Sequence, residues 1–183
     1  MIVPVFDLDG TLLDSDHALA SAYLHLGVPA EEITFGHVVA DECRRLGIDV
    51  ADYLDAYDPT LALPFAGVTE LVARLGRWAI CSNKVGRYGR VELDRLGWHP
   101  EVALFAESFS GPKSLEPVLT EMGCGAEACV FVGDTAHDSD VARSAGVRFA
   151  LAGWNPRAAG ITADVVLAQP LDLLELLSVP GPA

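Results

Sequence analysis

The sequence is poor in positive charge and especially in lysine. It has 12 Lys and Arg residues against 26 Asp and Glu residues, a formal net charge of −14. Nucleic acids and anionic membranes are bound through basic surfaces, so we expect neither as a partner. The same charge would repel an anionic substrate unless local cations reverse the field where it binds. Among the basic residues, only Lys84 and Lys113 are lysines.

Long apolar runs and paired cysteine motifs are missing as well. No apolar run approaches the ~18 residues of a membrane-spanning helix, and the first residues show no basic segment typical of a signal peptide. The cysteines are scattered, with no Cys-x-x-Cys motif: Cys43, Cys81, Cys124 and Cys129. Cys124 and Cys129 could meet, but reduced thiols are the better prediction. We therefore predict a cytoplasmic protein and leave open whether it is a monomer or a homodimer.

The 183 residues suit one domain with room for an inserted subdomain. Apolar runs alternate with helix-like stretches, which is typical of an α/β protein with a doubly wound, Rossmann-like parallel sheet. Strands are predicted over 2–6, 78–81, 102–106, 129–132, 147–151 and, more weakly, 164–167. Helices are predicted over 67–75, 88–96, 115–122, 139–145 and 171–177. Glycines predicted to cap helix C-termini are Gly76, Gly97, Gly123 and Gly146.

The alternation of strands and helices is interrupted over residues 15–64. This stretch shows helical periodicity and no convincing strand, and its ~50 residues far exceed a usual connection. We interpret it as a small helical cap inserted after the first strand. The predicted domains are therefore an α/β core of residues 1–14 and 65–183 and a cap of residues 15–64.

Polar residues follow three of the predicted strands. Asp7 and Asp9 follow the first, Ser82 and Asn83 the second in "AICSNK", and "GDTAHD" follows the fourth. In open parallel sheets, ligands bind outside the carboxyl ends of the strands. We therefore expect these side chains to share one site, together with Lys113 in "SGPKSLEPVL".

The expected site combines ligands for a hard cation with donors for an oxyanion. Clustered carboxylates are costly unless a cation neutralises some of them or a few stay protonated. Asp7, Asp9, Asp134 and Asp138 offer oxygen ligands, which suit Mg²⁺, an ion that also takes phosphate oxygens. Ser82, Asn83 and Lys113 are donors for an oxyanion. The pattern therefore predicts a phosphate site that uses Mg²⁺.

The motifs resemble those of the haloacid dehalogenase superfamily of hydrolases, close to its phosphoglycolate phosphatase-like branch. "DLDGTLLD" resembles the first motif of that superfamily, "SNK" the second, Lys113 the third and "GDTAHD" the fourth. They occur in the expected order and span most of the chain. The resemblance implies a Mg²⁺-dependent phosphatase that acts on a small phosphorylated metabolite.

The resemblance also implies a role for each matching residue. Asp7 would be the nucleophile that forms an aspartyl-phosphate, and Asp9 would protonate the leaving oxygen and then activate water. Mg²⁺ would be held by the Asp7 carboxylate, the Asp9 backbone carbonyl and Asp134, with Asp138 directly or through water. The phosphoryl oxygens would be held by Ser82, the Asn83 amide and Lys113, and Gly10 would give the turn that lets backbone N–H groups approach them.

The chain departs from the family pattern in two places. Ser114 follows the third-motif lysine where proline is common, and Pro112 precedes it. The predicted cap is also short, so the size of the substrate cannot be carried over from the family.

Other functions remain open at this point. A phosphomutase or phosphotransferase would use the same chemistry with another acceptor, and a receiver-like signalling domain would share the acids, the lysine and Mg²⁺. Two further functions are disfavoured. A haloacid dehalogenase would need neither Asp9 nor the metal, so the presence of Asp9 and Asp134 argues against it. A catalytically dead binding protein would be expected to lack a motif residue, and none is missing.

Several polar residues near the motifs have simpler explanations. Asp14 and Asp16 are expected to cap the following helix, and Arg87 and Arg90 to be solvated on theirs. The remaining candidates are histidines. His17 and His37 could contact substrate but are expected to be solvated, and His137 is not expected to bind the metal because carboxylates surround it.

Overall fold

A six-stranded parallel sheet forms the centre of the protein in the computed structural model, which describes residues 2–35 and 38–178. The strands are β1 (Val3–Phe6), β2 (Leu13–Asp14), β3 (Leu63–Pro64), β4 (Ala79–Cys81), β5 (Val102–Leu104), β6 (Cys129–Gly133), β7 (Arg148–Ala152) and β8 (Val165–Leu167). The large sheet has the order β5-β4-β1-β6-β7-β8, with every pairing parallel. All six predicted strands are present within two residues of their predicted limits.

Helices cover both faces of this sheet. They are α1 (Asp16–His25), α2 (Val39–Leu46), α3 (Val50–Ala56), α4 (Val68–Ala73), α5 (Gly86–Leu96), α6 (Glu116–Met122), α7 (Ala136–Ala145) and α8 (Asp172–Ser178). Buried side chains of α4, α5 and α8 pack on one face, and those of α6 and α7 pack on the other. The predicted doubly wound α/β fold is confirmed.

The ends of two helices show where glycine is needed and where it is not. Gly97 ends α5 with φ +65°, a conformation that residues with a Cβ rarely adopt. The predicted cap at Gly76 is wrong, because α4 already ends at Ala73. The N–H groups of Arg74 and Leu75 donate to carbonyls three residues back, and these tight turns close the helix.

Pro4 lies in a central strand, where a missing N–H group would normally break the ladder. Asp7 N–H donates to the Val132 carbonyl, so by alternation along the strand Pro4 faces β4 instead. Pairing of β1 with β4 begins only at Val5. The N–H group that Pro4 lacks would therefore have had no acceptor in the ladder with β4.

Residues 15–62, here called the helical segment, contain helices and no strand among those described. α1 and α2 both pack on α3. The expectation of no strand over residues 15–64 is wrong at the end of that stretch, since β3 pairs antiparallel with β2, Leu13 opposite Pro64. These two-residue strands join the outgoing and returning chain, and they are too short to show a period of two in the sequence.

Two further features concern membrane-spanning helices and the cysteines. Within the described ranges, no helix combines the length and apolar character needed to cross a bilayer. The four cysteines are free thiols, and Cys124 Sγ lies 2.8 Å from Cys129 Sγ.

Candidate active site

The strand order brings the predicted motifs together. β1 lies between β4 and β6, so the loops that follow these three strands meet at one edge. Asp7 follows β1, Ser82 follows β4 and Asp134 follows β6. Lys113 reaches the same edge from the loop before α6, and its ammonium contacts Asp7.

Asp7 is a buried carboxylate held by two donors. Its Oδ1 accepts a hydrogen bond from the Leu8 N–H at 2.7 Å, and its Oδ2 lies 2.8 Å from Lys113 Nζ. Burial raises the pKa of Asp7 to about 6, although the Lys113 ammonium opposes this. Its side chain lines the cavity next to Asp9.

Asp134 and Asp138 lie beside Asp7, and both are buried. Asp138 is in the first turn of α7, where its Oδ2 accepts hydrogen bonds from the Thr135 N–H and hydroxyl at 2.9 and 2.6 Å. Burial, followed by repulsion from Asp7 and Asp138, raises the pKa of Asp134 to about 7. In the described part of the chain, Asp7, Asp134 and Asp138 form a group whose ligand oxygens all lie within 4.8 Å of one another.

Lys113 lies between two of these carboxylates. Its Nζ is 2.8 Å from Asp7 Oδ2 and 2.6 Å from Asp138 Oδ1. Burial opposes the charged form, but the two carboxylates keep the pKa of Lys113 above its ordinary value. Pro112 and Ser114, where the chain departs from the family pattern, therefore do not turn the Lys113 ammonium away from Asp7, the candidate nucleophile.

Ser82 and Asn83 form the second wall of the site. Asn83 Oδ1 accepts a hydrogen bond from the Lys113 N–H at 2.9 Å, which ties the loop after β4 to the loop before α6. Its Nδ2 is the donor end of that side chain. Ser82 is buried next to Asp7, and its Oγ accepts a hydrogen bond from the Lys84 N–H at 3.3 Å.

Gly10 leaves room for the Asp134 carboxylate, and its own N–H group is not available to a phosphoryl oxygen. A Cβ at this position would lie 2.3 Å from Asp134 Oδ2, and the backbone has φ +76°. The Gly10 N–H donates to the Leu13 carbonyl at 2.7 Å inside the turn. Only glycine therefore lets this turn pass so close to Asp134.

Asp9 points to the same cavity and contacts the second lysine. Its Oδ1 lies 2.8 Å from Lys84 Nζ, and its side chain is 22% exposed. Lys84 was not among the predicted site residues, but its side chain is buried and also contacts Glu92 and Tyr57. Lys84 was recognisable as one of only two lysines, whereas nothing in the sequence pointed to Glu92 or Tyr57.

Two side chains of the loop after β7 also reach the site, and the sequence analysis did not identify them. Asn155 Nδ2 donates to Asp134 Oδ2 at 2.9 Å and to the Gly10 carbonyl at 2.8 Å. Arg157 Nη2 lies 2.9 Å from Asp16 Oδ1 and 3.3 Å from Asp134 Oδ2. The position of the loop could have indicated them, because it follows the carboxyl end of the strand next to β6.

The contact of Asp16 with Arg157 corrects the predicted helix cap. Ser15, not Asp14 or Asp16, is the N-cap residue of α1, and no side chain caps that end. Asp14 is exposed in β2. Asp16 instead lies in the first turn, where its charge suits both the helix dipole and the guanidinium.

The remaining candidates lie outside the carboxylate group. His17, Arg87 and Arg90 are exposed, as expected for solvated helix positions. His137 is half-buried at the start of α7 and does not belong to the group of Asp7, Asp134 and Asp138. His37 lies outside the described residues.

Comparison with known proteins identifies the family. The sequence profile described as haloacid dehalogenase-like hydrolase matches residues 4–152. The chain belongs to this family. A phosphoglycolate phosphatase from Xanthomonas campestris pv. campestris (strain 8004) is 30% identical over 97% of each chain. An N-acetylmuramic acid 6-phosphate phosphatase from Pseudomonas aeruginosa is 25% identical over 94% of this chain and 93% of its own.

Solved structures agree with the fold. A haloacid dehalogenase-like hydrolase from Streptococcus pneumoniae superposes with a TM-score of 0.77 and 20% identity, covering 97% of this chain and 99% of its own. Together these matches confirm the resemblance read from the four motifs. The haloacid dehalogenase-like hydrolase described here is an enzyme, a phosphatase.

Proposed function

We propose that this hydrolase cleaves small phosphomonoesters with Mg²⁺ and through a phosphorylated Asp7. The observation that supports this most directly is the convergence of Asp7, Asp134 and Asp138 on one buried point, with Lys113 between two of them. The family matches favour hydrolysis over a receiver-like signalling domain. Transfer of the phosphoryl group to a second acceptor would use the same residues.

The residues present fit a hard divalent cation. Three buried carboxylates lie together, and burial raises the pKa values of Asp7 and Asp134, a cost of the charged forms that a bound divalent cation would offset. Oxygen donors of this kind suit Mg²⁺. We propose that Asp7, Asp134 and Asp138 hold it, together with the Asp9 backbone carbonyl. When bound, the cation would neutralise charge on the carboxylates and on the phosphoryl group.

The side chains then divide the reaction between them. A carboxylate oxygen of Asp7 attacks phosphorus, the bond to the leaving oxygen breaks, and Asp9 gives that oxygen its proton. Lys113, Ser82 and Asn83 Nδ2 stabilise the phosphoryl oxygens. Asp9 next takes a proton from a water molecule that attacks the aspartyl-phosphate, which releases phosphate and restores Asp7.

The cavity beside Asp7 and Asp9 limits what the leaving group can be. Its volume is about 60 Å³, so it accepts a small group unless the helical segment moves away. Four side chains of that segment line it in addition to Tyr57: Leu19, Phe35, Val39 and Tyr53. This described wall carries no cation, so the cations that line the cavity come from outside the helical segment: Lys84, Lys113 and Arg157. We propose that the helical segment is a cap that excludes water during transfer.

Removal of divalent cations is expected to abolish most of the activity. Metal charge stabilisation of a few kcal/mol corresponds to about 100-fold or more in rate. The test is phosphate release from a panel of phosphorylated metabolites and from 4-nitrophenyl phosphate, each with Mg²⁺ and with excess chelator. Unchanged activity in chelator would contradict the metal assignment, and re-addition of Mg²⁺ is the control.

Replacing Lys113 with alanine is expected to lower kcat by about 10²–10³-fold, because a charge on the phosphoryl oxygens is lost. Asp7 and Asp138 would also lose their shared cation, so the metal-free variant should unfold at a lower temperature than the wild type. Steady-state kinetics and thermal unfolding with and without Mg²⁺ measure both effects. A variant within tenfold of wild type would show that Lys113 does not contact the transferred group.

The remaining expectations stay predictions. They concern a small phosphorylated metabolite as substrate, no nucleic acid or membrane partner, a monomer or homodimer, and a cytoplasmic location.

A further inference from the structure

Lys84 is as buried as Lys113 but contacts a different set of groups. Its Nζ lies 2.8 Å from Asp9 Oδ1, 2.8 Å from the Tyr57 hydroxyl and 3.1 Å from Glu92 Oε1. A lysine ammonium has three N–H donors and no acceptor. Each donor of Lys84 therefore has a partner. Lys113, in contrast, contacts two carboxylates and keeps a third donor for a phosphoryl oxygen.

Glu92 is the least expected member of this group. It lies in the interior of α5 with 0% of its surface exposed, where a carboxylate is costly without partners. Its Oε1 accepts a hydrogen bond from the Tyr57 hydroxyl at 2.7 Å in addition to its contact with Lys84. Lys84, Glu92 and Tyr57 thus each contact the other two. These contacts hold the Lys84 ammonium next to Asp9.

Of these three residues, only Tyr57 belongs to the helical segment. It is the C-cap residue of α3, whereas Lys84 follows β4 and Glu92 lies in α5. The Tyr57 ring also lies over the ammonium, with Nζ 4.9 Å from its centroid. Any displacement of the segment at Tyr57 removes one of the three acceptors of Lys84 and frees the ammonium to turn.

We propose that Lys84 is a positioning residue for Asp9 and that Tyr57 makes this positioning depend on the helical segment. The inference rests on the proposed function of Asp9 as the acid that protonates the leaving oxygen. Lys84 holds the Asp9 carboxyl toward the cavity, and Glu92 and Tyr57 hold Lys84. The proton donor is therefore in place only while the segment covers the site.

The rival role for Lys84 is direct binding of phosphate, as its place next to Asn83 suggests. The two roles differ in their dependence on the leaving group. A phosphate-binding lysine acts on every substrate alike. A residue that positions the acid matters most for an alkyl phosphate, whose leaving oxygen needs a proton, and little for 4-nitrophenyl phosphate.

The test measures the first turnover of propyl phosphate and of 4-nitrophenyl phosphate by rapid quench, with the full chain and Mg²⁺. In Lys84→Met we expect the rate with propyl phosphate to fall about 10–100-fold more than the rate with 4-nitrophenyl phosphate. Tyr57→Phe removes one hydroxyl and should shift the ratio in the same direction by about threefold to tenfold. Tyr57→Phe keeps the inference testable if Lys84→Met does not fold.

Two variants serve as controls. Tyr23→Phe removes another buried hydroxyl of the helical segment, one that is not a partner of Lys84, and should leave the ratio unchanged. Lys113→Ala should slow both substrates by the same factor. Equal slowing of both substrates in Lys84→Met and Tyr57→Phe would overturn the inference. A wild-type enzyme that releases phosphate from neither ester would overturn the proposed function itself, and this inference with it.

Discussion

Replacing Asp7 with asparagine is expected to reduce turnover by about 10⁴-fold or more, the scale seen when a covalent nucleophile is removed. Asparagine keeps the size of the side chain and can still accept the Leu8 N–H hydrogen bond. It cannot form a stable acyl phosphate and lacks the charge that faces Lys113. The loss should therefore appear in kcat with every substrate, whatever its leaving group.

The fold of this variant provides the control. Burial raises the pKa of Asp7 to about 6, above the unfolded value, so this group favours folding below its unfolded pKa and loses that contribution as pH rises through 6. At pH 8 without metal, the ionised carboxylate is a cost that asparagine removes. The variant should then unfold at the same temperature as the wild type or higher. A variant within tenfold of wild-type activity, about 1.4 kcal/mol, would contradict the aspartyl-phosphate route.

Replacing Asp9 with asparagine is expected to have different effects on two classes of substrate. The backbone carbonyl stays in place for the proposed metal, but the side chain can neither give nor take a proton. An alkyl phosphate should lose about 10²–10⁴-fold in rate, because its leaving oxygen departs unprotonated. A nitrophenyl phosphate needs little protonation, so Asp7 should still be phosphorylated.

The second half of the reaction should then become visible with the nitrophenyl ester. Without its base, hydrolysis of the aspartyl-phosphate lags, which predicts a burst of nitrophenol and a trapped phosphoenzyme. Rapid-quench kinetics and the intact mass of the quenched protein measure both. Equal slowing of the two substrates, with no burst and no phosphate adduct, would show that Asp9 is not the acid–base.

These two carboxylates also show how far the sequence leads. A pair two residues apart at the end of an apolar run must share one side of an extended chain, so their common site followed from local geometry. Asp134 could be placed in the same way, at the end of a recognisable strand. The six strands and the five helices packed on them were predictable because hydrophobic periodicity and glycine caps are local signals.

The sequence by itself thus determined the class of fold, the edge of the sheet where the candidate site lies and the main acids that gather there. Only the tertiary structure decided which side chains complete it. Lys84, Glu92 and Tyr57 come from three separate elements, and their contacts with one another depend on strand order and on how the helical segment packs. Arg157 and Asn155 reach Asp134 because β7 pairs with β6, a long-range choice made by packing. Such contacts join residues far apart in the chain, so no local pattern encodes them.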